Sequence, residues 1–208
     1  NGALAGIRYP SGMFVDYAPN ALGQPTRAGD FATGVSYYPN GAIRAFSYGN
    51  GILHTMEQNQ RQLPRRSVDS GVIDRSFAYD ANGNTVSVRE ANPTASSLGS
   101  NRDLTYDALD RLIGADMDGR LIESFGYDAL DNLISKGKVN SGQIESVTYT
   151  YDAGNRLTNV RNADGATVTG IAYDLQGNLR VKNGRQFQFD YGNRLRGVTD
   201  VASYQYDA

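Results

Sequence analysis

Cysteine and tryptophan are absent from the 208 residues, and histidine occurs once, at position 54. Without cysteine, neither a disulfide framework nor a thiolate metal site can form, and any Ser-His-Asp mechanism would have to use His54. No apolar run approaches the ~20 residues of a transmembrane helix, and the first residues carry no signal-peptide pattern. The formal net charge is −2. This charge argues against a nucleic-acid-binding protein, which would present a basic face.

Glycine and tyrosine are plentiful, at 24 and 14 residues, and many of them belong to a motif that recurs six times. The motif has an aromatic at position one, aspartate at position two, a turn-forming residue at position five and, in most copies, leucine at position seven. Its copies are Tyr79-Asp80 with Gly83; Tyr106-Asp107 with Leu112; Tyr127-Asp128 with Leu133; Tyr151-Asp152 with Leu157; Tyr173-Asp174 with Gly177 and Leu179; and Phe189-Asp190 with Leu195. Such repetition indicates one supersecondary unit stacked on copies of itself.

The motif has the chemistry of a β-hairpin. An apolar residue stands two places before each aromatic, as in Tyr149-Thr150-Tyr151, which is the period-two pattern of a strand with one buried face. The aspartate can accept hydrogen bonds from backbone N–H groups of the following turn. Position five is Gly, Asp or Asn, the residues that tolerate positive φ most easily, so we place the left-handed residue there.

Degraded copies occupy the first third of the chain. We assign them to 19–25, 37–43 and 57–63, with a further repeat opening at Tyr206. Between the motifs lie turn sequences such as Asp118-Gly119, Ser141-Gly142, Asp164-Gly165 and Asn183-Gly184, which favour two-residue hairpin loops. One longer loop is predicted at 92–100. With no helical periodicity present, the sequence predicts an all-β fold of repeated antiparallel hairpins.

These residues resemble the YD-repeat, or RHS-repeat, family over essentially the whole chain. The tracts Tyr9-Pro10-Ser11-Gly12 and Tyr37-Tyr38-Pro39-Asn40-Gly41 are similar to bacterial members of the family. The resemblance implies a β-ribbon that spirals into a hollow shell. The family includes bacterial polymorphic toxins, toxin-complex subunits and the animal teneurins, and in the toxins the shell encloses a toxic domain. The chain departs from the toxin pattern because it has no Asp-Pro-x-Gly boundary and no non-repeat domain after the repeats.

Several sharper interpretations compete with a structural role. Asp80-Ala81-Asn82-Gly83-Asn84 resembles the start of a calcium loop, but the glycine comes one place early and the twelfth residue is Ala91. Paired aspartates such as Asp107 with Asp110 and Asp128 with Asp131 could hydrolyse glycosides, although the recurrence of these two pairs as part of the motif favours architecture. The cluster Arg61, Arg65 and Arg66 could meet a polyanion or form a solvated edge. The tyrosines could stack on sugars, or pack across strands.

We therefore predict a non-catalytic structural segment without metal or cofactor. It is a single array of about ten repeats over 1–208, open at both ends, in the wall of a bacterial shell that encloses a toxin or other cargo polypeptide. The alternative is an extended cell-surface fibre or adhesion module made of tandem copies, with carbohydrate as a ligand. Tyr206-Asp207-Ala208 followed by Asn1-Gly2 would complete one motif, as expected either for one period of a tandem array or for a fragment of one irregular shell whose ends match in phase by chance. Secretion or surface display would then depend on signals outside this segment.

Overall fold

The structure is a computed structural model that describes residues 2–92, 101–140 and 142–207. In these ranges every regular element is a β-strand, and no helix has the length and apolar character needed to span a membrane. The chain divides into two compact units, residues 1–111 with 116–120, and residues 112–115 with 121–208. The predicted all-β class is confirmed.

The first unit contains a two-stranded sheet and a longer antiparallel meander. Strand β1 pairs with β2, and β3 to β9 pair in sequence order. The strands are β1 Gly6–Arg8, β2 Phe14–Asp16, β3 Ala32–Tyr37, β4 Ile43–Tyr48, β5 Leu53–Gln58, β6 Pro64–Asp69, β7 Ile73–Tyr79, β8 Thr85–Glu90 and β9 Arg102–Tyr106. Strand β10 (Leu112–Met117) is divided between the two units.

The second unit is a meander in which β11 to β19 pair in order and antiparallel. Its strands are β11 Arg120–Tyr127, β12 Leu133–Asn140, β13 Gln143–Tyr151, β14 Leu157–Asn162, β15 Thr167–Tyr173, β16 Leu179–Lys182, β17 Arg185–Phe189, β18 Leu195–Val198 and β19 Ala202–Ser203. Because the strands alternate in direction, all motif turns lie on one edge of a meander. We call this the YD edge, and the opposite edge the glycine edge.

The hairpins of the full motifs that begin at 79, 127, 151, 173 and 189 carry the same irregularity just beyond the turn. Tyr151 pairs with Leu157, but Thr150 pairs with Asn159, so Thr158 is an extra residue on the return strand. The same shift recurs after position seven in the hairpins that begin at 37, 79, 127, 173 and 189. An extra residue of this kind is a β-bulge, which increases local twist. The predicted motif therefore includes a bulge as well as a turn.

The glycine edge differs in part from prediction. The two-residue turn is confirmed at Asn183-Gly184, where both residues have positive φ and Lys182 pairs with Arg185. At Asp164-Gly165 the prediction is wrong, because Asn162 N–H bonds the Ala166 carbonyl and closes a longer loop. Asp118 and Gly119 both have positive φ, as a two-residue turn requires. Ser141 and residues 93–100 of the predicted long loop lie outside the described residues.

The sheets bury little. Among the described residues only Val15, Glu90, Gly114 and Ala115 are buried. The motif aromatics and their apolar neighbours two places earlier are mostly half-buried, whereas residues between them, such as Thr148 and Thr150, are exposed. In β13 one face is therefore aromatic and partly covered, and the other carries small polar side chains.

Candidate functional site

The YD edge is built from loops in which one aspartate carboxylate organises the whole turn. In the loop of Asp152, Oδ1 accepts the N–H of Gly154 and the N–H of Arg156, each at 2.9 Å. Its Oδ2 accepts Nε of Arg156, also at 2.9 Å. Two backbone bonds complete the loop, from Asp152 N–H to the Arg156 carbonyl and from Asn155 N–H to the Asp152 carbonyl. The predicted turn-capping role of aspartate is confirmed at this position.

The same pattern is present at the other motif aspartates. In each, Oδ1 accepts the backbone N–H four residues on, and Oδ2 accepts the side chain of that residue, which is Asn or Arg. This set comprises Asp80 with Asn84, Asp107 with Arg111, Asp128 with Asn132, Asp174 with Asn178, and Asp190 with Arg194. Both oxygens of each carboxylate accept hydrogen bonds within the loop, so few lone pairs remain for metal ligation or acid–base chemistry.

These hydrogen bonds favour the ionised carboxylate and hold the aspartate pKa values low. The side chain of Asn84 is the largest cause of the lowered pKa of Asp80, and that of Arg111 is the largest cause at Asp107. At Asp152 the backbone N–H of Arg156 contributes most to the lowered pKa. The backbone N–H of Arg194, with the side chains of Arg194 and Arg196, lowers the pKa of Asp190 to about 2.

Position five of each loop has the predicted left-handed conformation. Among the six full motifs φ lies between 59° at Asn193 and 98° at Gly83. The remaining members are Asp110, Asp131, Asn155 and Gly177, and the degraded copies add Gly23 and Gly41. The turn assignment is confirmed in all of these loops.

One degraded copy was assigned to the wrong register. The prediction placed a motif at 57–63 with Arg61 at position five, but it is Gln62 that has a positive φ, of 63°. Asn59 takes the aspartate position, because its Oδ1 accepts the N–H groups of Arg61 and Leu63. The loop therefore runs one residue later, with Gln58 paired to Pro64.

A second set of contacts joins each repeat to the one before it. The hydroxyl of Tyr151 donates to the carbonyl of Leu133 at 3.0 Å, and that of Tyr173 donates to the carbonyl of Leu157 at 2.9 Å. In both cases the acceptor is position seven of the preceding motif, just before the bulge. The same bond is made by Tyr37 to Pro25, Tyr79 to Pro64, Tyr106 to Thr85 and Tyr127 to Leu112. We call this bond the tyrosine clamp. Phe189 stands in the same position without a hydroxyl.

The side chain at position six reaches forward to the next loop. Asn84 Nδ2 donates to Asp110 Oδ1 at 2.7 Å, and Asn178 Nδ2 donates to Asn193 Oδ1 at 2.9 Å. Where position six is arginine, the guanidinium lies over an aromatic instead, as Arg156 does over Tyr173 at 4.8 Å. The repeats that begin at 79 and 106, at 127 and 151, and at 151 and 173 are thus tied twice, once by the tyrosine hydroxyl and once by the side chain at position six.

The calcium-loop and acid-pair interpretations do not agree with the observed contacts. Both carboxylate oxygens of Asp80 accept hydrogen bonds inside their own loop, as a structural turn predicts and a calcium loop does not. Asp110 accepts from Asn82 and Asn84, in place of forming an acid pair with Asp107. Over the described parts of the chain no group of three or more His, Cys, Asp or Glu side chains could hold a metal ion.

His54 and the arginine cluster have local partners. His54 Nδ1 lies 2.7 Å from Asp69 Oδ1, and its ring stacks on Phe46 with 4.7 Å between centroids. Arg66 makes a bidentate bond to Asp74, and Arg65 pairs with Glu57. Arg61 donates to the carbonyl of Asp80 in the next loop. These contacts hold neighbouring strands and loops together.

Glu90 is a functional residue that the repeat motif does not predict. Its side chain is fully buried; Oε1 accepts the N–H of Asp74 at 2.8 Å and the N–H of Asn92 at 2.9 Å, while Oε2 lies 3.2 Å from Nε of Arg75. A signal was available, because a charged residue at the end of the alternating segment 85–90 breaks its apolar pattern.

Comparison with known proteins places this geometry in context. Residues 116–208 match the family model described as teneurin YD-shell, whereas no curated protein matches. The crystal structure titled TcdB2-TccC3 without hypervariable C-terminal region is 16% identical, with a TM-score of 0.52, over 100% of this chain. The TcdB2-TccC3-Cdc42 crystal structure is 17% identical, with a TM-score of 0.52, over 98% of the chain.

At these identities the structural matches establish the fold alone. The chain corresponds to only 12% of the length of either solved chain. The family match covers four of the six full motifs, those that begin at 127, 151, 173 and 189. The motif, the family match over residues 116–208 and the shared fold all support the resemblance to the YD/RHS-repeat family.

Proposed function

We propose that this chain is a non-catalytic wall segment of a YD/RHS shell that encloses a cargo polypeptide. The observation that carries the proposal is the double tie between successive loops. A tyrosine clamp and a position-six contact join the repeat that begins at Tyr151 to the one that begins at Tyr173, and the same two ties join the repeats that begin at Tyr79 and Tyr106. Such ties make a continuous wall out of hairpins that would be marginally stable alone. The TcdB2-TccC3 structures, whose fold the chain shares, are consistent with this role.

The exposed area of the chain supports a role as part of a larger array. Among the described residues only Val15, Glu90, Gly114 and Ala115 are buried. Repeats that bury little by themselves are completed by neighbouring repeats. We therefore propose that residues 1–208 work as one array of about ten repeats, within a longer protein or as one period of a tandem array.

Imaging of the intact parent assembly by electron cryomicroscopy tests the shell. We expect a closed shell with density inside it and protection of the enclosed polypeptide from added protease. An open filament made of tandem copies would contradict the shell and support the fibre. In that case residue 208 of one copy would lie within peptide-bond reach of residue 1 of the next.

The absence of catalysis is tested separately. Broad profiling with ester, peptide and glycoside substrates should find no turnover by the purified chain. Turnover that His54→Ala abolishes while circular dichroism shows the fold retained would contradict the structural role. Asp69→Asn is the matched control, because it changes the hydrogen-bond partner of His54 and keeps the imidazole.

A further inference from the structure

The loops 38–42 and 48–52 of the first unit have the same backbone. In each loop the N–H of the leading tyrosine bonds the carbonyl four residues on, at 2.8 and 2.9 Å, and the glycine N–H bonds the tyrosine carbonyl at 2.9 Å. The glycine φ angles are 84° and 83°. Asn40 and Asn50 are exposed, and Oδ1 of each accepts the N–H two residues on at 3.2 Å. The two Asn-Gly pairs therefore form a matched comparison.

The two carboxamides differ in what holds their nitrogen. Asn40 Nδ2 donates to Gln62 Oε1 at 2.9 Å and lies 3.4 Å from Gln58 Oε1, so the next motif loop fixes its position. Asn50 Nδ2 has no hydrogen-bond partner among the described residues, where the bond from Ile52 N–H to Oδ1 is the one tie of this side chain. The Asn50 carboxamide can therefore rotate, and release its nitrogen, more easily than that of Asn40.

An exposed asparagine that precedes glycine can lose ammonia without an enzyme. The backbone nitrogen of the glycine attacks Cγ, and a new N–Cγ bond forms. Nδ2 then leaves as ammonia, taking the proton of the glycine N–H, and a succinimide ring remains. Water opens this ring at either carbonyl and gives aspartate or isoaspartate. Glycine favours the attack because it has no Cβ to restrict its backbone.

The structure assists this reaction equally in both loops and opposes it in one. The N–H that bonds Oδ1 stabilises the negative charge that develops on this oxygen during attack, and it is present at Asn40 and Asn50 alike. The glycine N–H must leave the tyrosine carbonyl in both loops as well. Only Asn40 must also break its bond to Gln62. A hydrogen bond lost before the transition state slows a reaction by about fivefold.

The other two described asparagines that precede glycine are held from outside their own turns. Asn82 Nδ2 donates to Asp110 Oδ1 at 2.8 Å, in the next loop. Asn183 Oδ1 accepts the N–H of Gly170 at 2.8 Å, from the neighbouring strand. Each carboxamide must leave such a contact before its Cγ can meet the glycine nitrogen. Asn50 is therefore the least restrained of the four.

We propose that Asn50 is a site of spontaneous deamidation, through a succinimide formed with Gly51. The reaction adds a negative charge to the loop between β4 and β5. Isoaspartate also adds one carbon to its backbone, so the bond from Tyr48 N–H to the Ile52 carbonyl cannot keep its present geometry. The modified hairpin is therefore less stable than the original one. This modification does not depend on whether the chain forms part of a shell.

Peptide mass mapping of the folded chain during incubation in mildly alkaline buffer tests the proposal. Trypsin cuts at Arg44 and places the two matched asparagines in different peptides. We expect Asn50 to become acidic first, at least about fivefold faster than Asn40. In urea the two sites should react at similar rates, because both precede glycine. Equal rates in the folded chain, or the same ratio in urea, would overturn the proposal.

Two variants test the cause of the difference. Gln58→Ala with Gln62→Gly removes both acceptors of Asn40, and glycine tolerates the φ of 63° at position 62. Asn40 should then react as fast as Asn50. The control is Asn50→Ser, which keeps an acceptor for the Ile52 N–H and should remove the fastest mass change alone. If Asn40 remains slow in a double variant that circular dichroism shows to be folded, the tie to the next loop is not what protects it. Labelling by isoaspartate methyltransferase identifies the isoaspartate product.

Discussion

On the YD edge a chain reversal uses a five-residue loop, an aspartate that accepts two backbone N–H groups and a bulge in the return strand. On the glycine edge the chain reverses in as few as two residues, as at Asn183-Gly184, where positive φ suffices. The YD edge also carries the tyrosine clamp and the position-six contacts. The YD edge therefore joins neighbouring repeats through side-chain contacts, whereas the glycine edge reverses the chain direction with few side-chain requirements.

Acidification should give the largest loss of folding stability, because it protonates the aspartates of all YD loops together. The pKa values of Asp80, Asp107, Asp152, Asp174 and Asp190 are lowered in the folded chain. Their contribution to stability is present above the unfolded aspartate pKa of about 3.9 and is lost as pH falls through the folded values. We expect the urea midpoint to fall from about pH 5 toward pH 2.

Replacing loop aspartates by asparagine, which does not titrate, is the control for the acid dependence of the urea midpoint. Asp174→Asn with Asp190→Asn should lower the urea midpoint at pH 7 and reduce its further loss on acidification. The exchange is compatible with the turn, because Asn20 and Asn59 already cap loops through Oδ1. An unchanged acid dependence in this variant would place the sensitivity elsewhere.

Glu90 is the exception on the glycine edge, and its loss should be the largest single effect. Glu90→Ala removes a buried acceptor from the N–H groups of Asp74 and Asn92 and leaves Arg75 without its carboxylate. Loss of a buried charged partner costs about 3 kcal/mol. Urea unfolding measures it, with Glu90→Gln as the milder control. Equal midpoints for Glu90→Ala and the parent would show that this end of the meander does not depend on Glu90.

Position five tests the backbone of the YD edge. Gly83→Val and Gly177→Val place a β-branched residue at φ values of 98° and 89°, which costs about 1–2 kcal/mol. Gly177→Asn should be nearly neutral, because Asn155 and Asn193 hold the same conformation in sister loops. Urea midpoints of both valine variants that match the parent would contradict the turn assignment.

The tyrosine clamp offers the smallest effect and the closest matched pair. Tyr151→Phe removes the hydroxyl that donates to the Leu133 carbonyl, at a cost of about 1 kcal/mol. Phe189→Tyr makes the opposite change, and we expect it to add a clamp to Leu179 and raise the urea midpoint by less than this. If Tyr151→Phe leaves the urea midpoint unchanged, the clamp adds nothing beyond ring packing.

The local parts of this fold could be predicted from the sequence, and the contacts between repeats could not. Gly, Asn and Asp encode positive φ and side-chain capping within a few residues, so the hairpins and position five were found. The acceptor of the Tyr173 hydroxyl lies 16 residues away, in another repeat, so it could not be predicted from the motif. The bulge could not be predicted either, because no residue type in the motif is specific to it. The register failed at 57–63 because Gln58 and Pro64 replace the aromatic and the leucine, which leaves Asn59 as the one marker of the loop.

The direction of the tyrosine clamp bears on how the protein is made. Each hydroxyl comes from the later repeat and its acceptor from the earlier one, with separations between 12 residues at Tyr37 and 21 at Tyr106. Contacts this close along the chain favour rapid folding, and domains emerge from the ribosome amino terminus first. We expect pulsed hydrogen exchange on ribosome-bound chains to show each Tyr-Asp loop protected soon after it emerges. Such a wall would form repeat by repeat during synthesis, because each new tyrosine hydroxyl bonds to a repeat that is already folded.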